Sequence, residues 1–221
     1  MLSLIYKDII LQKKMFLFAL GYAVFLFFVF RSPEFVNGVY VMGAFAIAYL
    51  FVLTSVAWDD KNKSEIILNS LPIKREDIVK AKYLFVLVAA ALGVAIMGGT
   101  GLILKGFGLT IHAGYLGWPD ALASLTSVAF LSAIYLPLYY RFGSIYMKII
   151  NVVIFMLVFF LPSFILGYVR EHPDQELVAH TVRILATTPE WLLVLTIIAL
   201  VFSLMAGSML IAIRVYRKKE L

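Results

Sequence analysis

The chain has 221 residues, of which 63% are hydrophobic and 14% charged, with a net charge of +6 and no cysteine. A charged share so far below the roughly 25% of a soluble domain excludes an ordinary water-soluble fold and calls for a bilayer as solvent. The lack of cysteine excludes disulfides, thiolate metal sites and thiol nucleophiles.

The opening stretch, MLSLIYKDIILQKK (residues 1–14), predicts an interfacial helix. Leu2, Ile5 and Ile9 share one face, while Lys7, Asp8 and the Lys13–Lys14 pair reach water. A cleavable signal peptide does not fit, because the following apolar run is too long and no small-x-small site comes after it.

A membrane-spanning helix needs about 20 apolar residues. Six segments meet that need, at residues 15–30, 38–58, 83–104, 121–140, 149–168 and 191–213, and none holds Asp, Glu, Lys, Arg or His. Pro162 predicts a kink in the fifth span, and Pro137 one near the end of the fourth. Between the spans, residues 31–37 predict a tight outer turn, and 105–120 a glycine-rich outer loop ending in Trp118-Pro119. Residues 169–190 predict an outer helix, with Pro173 in its first turn and Leu177, Thr181, Ile184 and Leu185 on one side. Thr188-Pro189-Glu190 then reads as N-cap, first helical proline and acidic first turn of the sixth span.

The basic residues orient these spans. With the N-terminus cytoplasmic, fifteen of the nineteen Lys and Arg residues fall inside, and only Arg31, Lys105, Arg170 and Arg183 outside. Both termini are therefore expected in the cytoplasm. The same asymmetry accounts for the positive charge as attraction to anionic lipid, with no nucleic-acid partner.

Catalytic signatures are missing. His112, His172 and His180 all fall in outer loops without H-E-x-x-H spacing, and no G-x-S-x-G occurs. No G-x-x-x-x-G-K-[ST] loop is present to wrap phosphates, so ATP hydrolysis is not expected of this chain. Ion coupling lacks a carrier as well, since the six spans hold no ionisable group. Two stripes of small residues, Ala91–Ala95–Gly99 and Ala199–Ser203–Gly207, predict close helix packing within the chain, with a subunit interface as the alternative.

The one long polar stretch is DDKNKSEIILNSLPIKREDIVKAKYL, from Asp59 onward. Its first part is compatible with a helix continuing from the second span to Asn69, with Lys61 and Glu65 one turn apart. Ser70-Leu71-Pro72 breaks that helix, and a second begins at Arg75 or Glu76 with Glu76 and Asp77 favouring its N-terminus. The outcome is an elbow over residues 59–82. Its apolar members Ile66, Ile67, Leu71, Ile73, Ile78 and Val79 are too many for a solvated loop and need a cover. Candidates are the protein's own inner surface, lipid headgroups or another protein.

This stretch, with the Ser70-Leu71-Pro72 turn followed by Lys74-Arg75, Ile78-Val79 and Lys82, resembles the ABC-2-type permeases. It is most similar to the small six-span group that includes exporters of phenol-soluble modulin peptides. The likeness extends over the whole chain. It implies an all-α polytopic membrane protein forming one transmembrane domain over residues 1–221, with six spans, an N-terminal interfacial helix, an elbow between spans two and three, and an outer helix between spans five and six. It further implies that the elbow is a coupling helix seated on a separate ATP-binding-cassette ATPase. Glu65, Ile66, Ile67, Ser70, Leu71, Pro72, Ile73, Lys74 and Arg75 would then make that contact. By the same resemblance the chain holds no cofactor of its own, ATP and Mg belong to the partner, and a second permease, identical or paralogous, completes the assembly in the plasma membrane. Uncharged spans suit an amphipathic or hydrophobic cargo, a cytolytic or antimicrobial peptide being the leading expectation. The alternative from another class is a non-transporting membrane anchor for a cytoplasmic partner.

Overall fold

A computed structural model describes residues 2–30, 38–108, 114–172, 180 and 187–218. The described residues are helical throughout, with α1 at Leu2–Leu11, α2 at Lys13–Val29, α3 at Val39–Lys61 and α4 at Ser64–Ser70. They continue with α5 at Arg75–Gly106, α6 at Trp118–Glu171 and α7 at Glu190–Arg217. Long apolar runs leave the backbone no partner in a bilayer except itself, and helices are how it satisfies that demand locally.

By length and composition, four stretches can cross a membrane: Val39–Lys61, Arg75–Gly106, Trp118–Gly143 and Glu190–Arg217. A fifth arises if α1 and α2, bent by 62° at their junction, count as one broken span. A separate helix does occupy the opening stretch as α1. Ile5 and Ile9 pack on the core and Lys13 and Lys14 are exposed as expected, but Asp8 and Leu2 face the opposite way from that expectation. Asp8 is only 4% exposed and Gln12 is buried, whereas Leu2, Tyr6 and Ile10 face outward.

Pro137 and Pro162 both stay within helix, and the non-helical backbone inside α6 lies at Gly143, with φ 75° and ψ 176°. That backbone region is open to glycine alone, since any Cβ would clash there. Proline costs a helix one hydrogen bond, a loss that neighbouring helices and hydroxyl side chains absorb within a membrane. Leu131 and Ile154, about equally far on either side of Gly143, join Tyr49 in one small apolar cluster. The two limbs of α6 therefore fold back on each other and on α3.

The main core lies between α2, α3, α5 and the first limb of α6, with contributions from α7. A close backbone approach is at Gly93, where an added Cβ would lie 2.4 Å from the Ala44 carbonyl oxygen and 3.2 Å from the Ala48 Cβ. Small residues permit that backbone contact, as packing in lipid requires. The two predicted stripes do not provide it. Ala91, Ala95, Ala199, Ser203 and Gly207 are exposed, and a Cβ on Gly99 or Gly207 would meet nothing within 4 Å. Their spacing is right for packing, but Ser203 and Gly207 border an open groove against Ala133 and Pro137 of α6 instead of a close backbone contact. Gly93→Ala should accordingly lower stability by ~1–3 kcal/mol, as overpacking does, because the obstacle is rigid backbone. Gly99→Ala should cost nothing. Thermal unfolding in mild detergent would measure both, and equal melting temperatures for the two variants would refute the assignment.

Outside the described residues lie the turn at 31–37, His112, and the face of the expected outer helix carrying Pro173, Leu177, Thr181, Ile184 and Leu185. The start of the sixth span is corrected by one step: Pro189 is itself the residue before the helix, and Glu190 opens α7.

Candidate functional site

The predicted continuous helix from Asp59 to Asn69 is two pieces. Helix α3 stops at Lys61, Lys63 takes a left-handed conformation with φ 48°, and α4 starts at Ser64. Lys61 and Glu65 therefore do not share a helix. Leu71 is extended and Pro72 follows it, which ends α4. From Arg75 the chain is helical again through α5, with Glu76 and Asp77 in the first turn as expected.

Within this elbow the apolar residues divide into two sets. Val79 is fully buried and Ile78 packs against the protein's own core. Ile66 at 63%, Ile67 at 58% and Leu71 at 46% exposure form an outward apolar edge, next to exposed Ser70, Pro72 and Lys74. Glu65, Ile73 and Arg75 are half-buried. The sequence-predicted site residues are thus brought together on one elbow, with Ile66, Ile67 and Leu71 at its outer edge.

The elbow is held from behind by the end of α7. The Asn69 amide donates to the Tyr216 hydroxyl at 3.0 Å and to the Glu65 carbonyl at 2.7 Å. Arg75 donates to the Arg217 carbonyl at 3.2 Å, and the Arg217 guanidinium pairs with Glu76. At the end of α3, the Tyr139 hydroxyl donates to Asp60 at 2.8 Å, tying the first limb of α6 to the same unit.

Beneath the elbow lies a feature that sequence reasoning missed. The Lys82 ammonium, on a residue only 5% exposed, donates to Asp59 at 2.6 Å, Asp8 at 2.9 Å and Ser55 at 2.5 Å. Lys7 pairs with Asp59 at 2.7 Å and with Asp8 at 3.5 Å. Two lysines and two aspartates from α1, α3 and α5 so form a closed, electrically neutral quartet. Burial works against the Lys7 charge, but Asp59 foremost and then Asp8 outweigh it, and Lys7 keeps its proton above the usual lysine range. A cavity of about 30 Å³ adjoins the quartet, bordered also by Ser64, Glu65, Tyr139, Tyr140 and Tyr216. One signal in the sequence pointed here: Leu4, Asp8 and Gln12 recur every four residues and so share a helical face.

On the outer flank, α2, α3 and the second limb of α6 border a groove of about 530 Å³. Phe18, Tyr22, Leu26, Met42 and Phe45 give it apolar walls. A polar point is the Tyr49 hydroxyl, which donates to Asn151 at 2.6 Å.

A bundle of apolar spans, a polar elbow and a buried ionic joint together define a multi-pass helical membrane protein. The sequence profile described as ABC-2 family transporter protein matches residues 3–217, and the chain belongs to that family. Members are membrane subunits without an ATPase site of their own, and membership implies a cassette ATPase as partner. Neither the curated proteins nor the solved structures contain a match to the chain.

Proposed function

We propose that this chain is the six-span permease subunit of an ATP-driven exporter, working in the plasma membrane with both termini in the cytoplasm. The observation that carries the reading is the outward edge of Ile66, Ile67 and Leu71, braced from behind by Asn69–Tyr216 and Glu76–Arg217. An apolar edge on a rigid mount serves a partner that pushes, since a floppy loop would absorb the displacement. A cassette ATPase covers this edge and supplies the energy, with ATP and Mg held on its side of the contact. A second permease, a copy of this chain or a paralogue, completes the assembly.

The cargo is amphipathic or hydrophobic, and a cytolytic or antimicrobial peptide fits best. The groove between α2, α3 and α6 supports this, with mostly apolar walls, polar points at Tyr22 and at Tyr49 with Asn151, and a volume typical of ligand sites.

Because the chain has no cysteine, one variant tests both orientation and docking. In Lys74→Cys, a membrane-impermeant thiol reagent should label only inside-out vesicles, and bound ATPase should slow labelling by about tenfold, the factor that ~1.4 kcal/mol of protection provides. Labelling of intact cells from outside would overturn the topology. Equal rates with and without the ATPase would overturn the docking site.

A further inference from the structure

We propose that Lys7, Asp8 and Gln12 are positioning residues that turn α1 into a rigid lever joining the elbow to the α2 wall of the cargo groove. The inference rests on the coupling role assigned to the elbow and extends it to a helix outside the elbow.

Buried ion pairs do not by themselves make a fold more stable than apolar residues of the same shape, and their best-attested use is to fix one element in register with another. Here the register is between three helices. Asp59 belongs to the last turn of α3 and Lys82 to the early part of α5, the two stems of the elbow, while Lys7 and Asp8 belong to α1. Any displacement of either stem must carry α1 along or separate charges that are mostly buried, with Lys82 and Asp8 each 6% exposed at the side chain. On the other side of α1, Leu2, Tyr6 and Ile10 are exposed among the described residues.

A second joint sits one turn further on. Gln12 stands at the 62° bend between α1 and α2 and is itself buried. Its side-chain amide donates to the Phe51 carbonyl of α3 at 2.8 Å, an oxygen that also accepts from Thr54. This bond gives the bend a fulcrum on α3. Beyond the fulcrum, α2 presents Phe18, Tyr22 and Leu26 to the groove. A tilt of the elbow is therefore delivered through the quartet to α1, about Gln12, and into the groove wall.

Lys7→Met/Asp8→Leu tests the lever while sparing the rest. Both charges of α1 are removed together, so the site stays neutral, and Lys82 keeps Asp59 and Ser55 as partners. The complex with the cognate ATPase is trapped with ATP and vanadate, and the rate of maleimide labelling is compared with the nucleotide-free complex at two single cysteines. One replaces Phe18 in the groove wall and the other Lys74 on the elbow. In the parent chain, trapping should change both rates by about fivefold or more, the lower range of measured coupling between sites. In the double variant the elbow response should persist and the groove response should vanish. Lys7→Arg, which retains both α1 charges, should keep both responses. A groove response undiminished in the double variant, or lost in Lys7→Arg as well, would overturn the lever. Failure of the parent elbow to respond to trapping would overturn the coupling role and the lever together.

Discussion

Leu71→Asp should abolish capture of the cassette ATPase while the permease still reaches the membrane in normal amount. Leu71 stands on the outward edge of the elbow beside Ile66 and Ile67, and all three are largely exposed among the described residues. Burying such a side chain in a partner's cleft stabilises the complex by ~1.5–3 kcal/mol. A carboxylate in its place forfeits that gain and must also be stripped of water without a partner, a further cost of several kcal/mol. Affinity should fall by about a thousandfold or more. Lys74→Ala, at an exposed position on the rim, should cost ~0–1 kcal/mol. Pull-down of the ATPase, with surface expression as control, distinguishes the two variants. If Leu71→Asp captures the ATPase as well as Lys74→Ala does, the apolar edge rests on something other than the ATPase. The permease's own fold should be indifferent to both changes, because neither side chain is part of its core.

Lys82→Met should strike the fold itself. Removing this ammonium leaves Asp8 and Asp59 sharing Lys7 alone and takes the donor from Ser55. Breaking a buried ion pair by deleting one partner costs ~3–5 kcal/mol, since the remaining charge stays in a poor solvent. That is a large part of the 5–15 kcal/mol that holds a typical protein together. Expression and melting temperature in mild detergent should both drop sharply. Lys80, two residues earlier on α5, makes a partly exposed pair with Glu76 at 3.3 Å. Lys80→Met should change stability by under about 1 kcal/mol. Similar melting temperatures for the two variants would show that the quartet is hydrated and carries little. Both substitutions remove one positive charge from the same helix, so a difference between them reports the buried partners of Lys82 and not net charge.

These two lysines show where reading the chain as a string reaches its limit. The class of protein was plain from the string, because an apolar run of about 20 residues is a local property and only a bilayer accommodates several of them. The elbow was legible for a similar reason. Ser70, Leu71 and Pro72 stop a helix through the geometry of neighbouring residues, whatever lies beyond them. Even the excess of apolar residues in the elbow announced that something must cover them.

Facing, in contrast, was settled only by the tertiary structure. Asp8 and Lys7 were assigned to water because an amphipathic helix at a membrane surface turns its charges outward. Helix α1 does the opposite, since Lys82 and Asp59 wait on the inner side and complete a neutral quartet that one helix cannot form. The small-residue stripes misled in the reverse sense. Ala91 and Ala199 have the spacing of packing residues and face away from the chain's other helices, while Gly93, outside either stripe, meets Ala44 backbone to backbone. Helix periodicity tells which residues share a side but not what that side touches. The turn of α6 carries the same lesson, as both prolines stay helical and the chain reverses at Gly143. A proline's cost is local and can be absorbed by neighbours, whereas a positive φ required by two limbs folding together leaves glycine as the residue that fits. What the sequence determined by itself was therefore the solvent, the helical class and the turn of the elbow at Ser70-Leu71-Pro72. Which charges meet and which faces touch were decided only when helices distant in sequence were placed side by side.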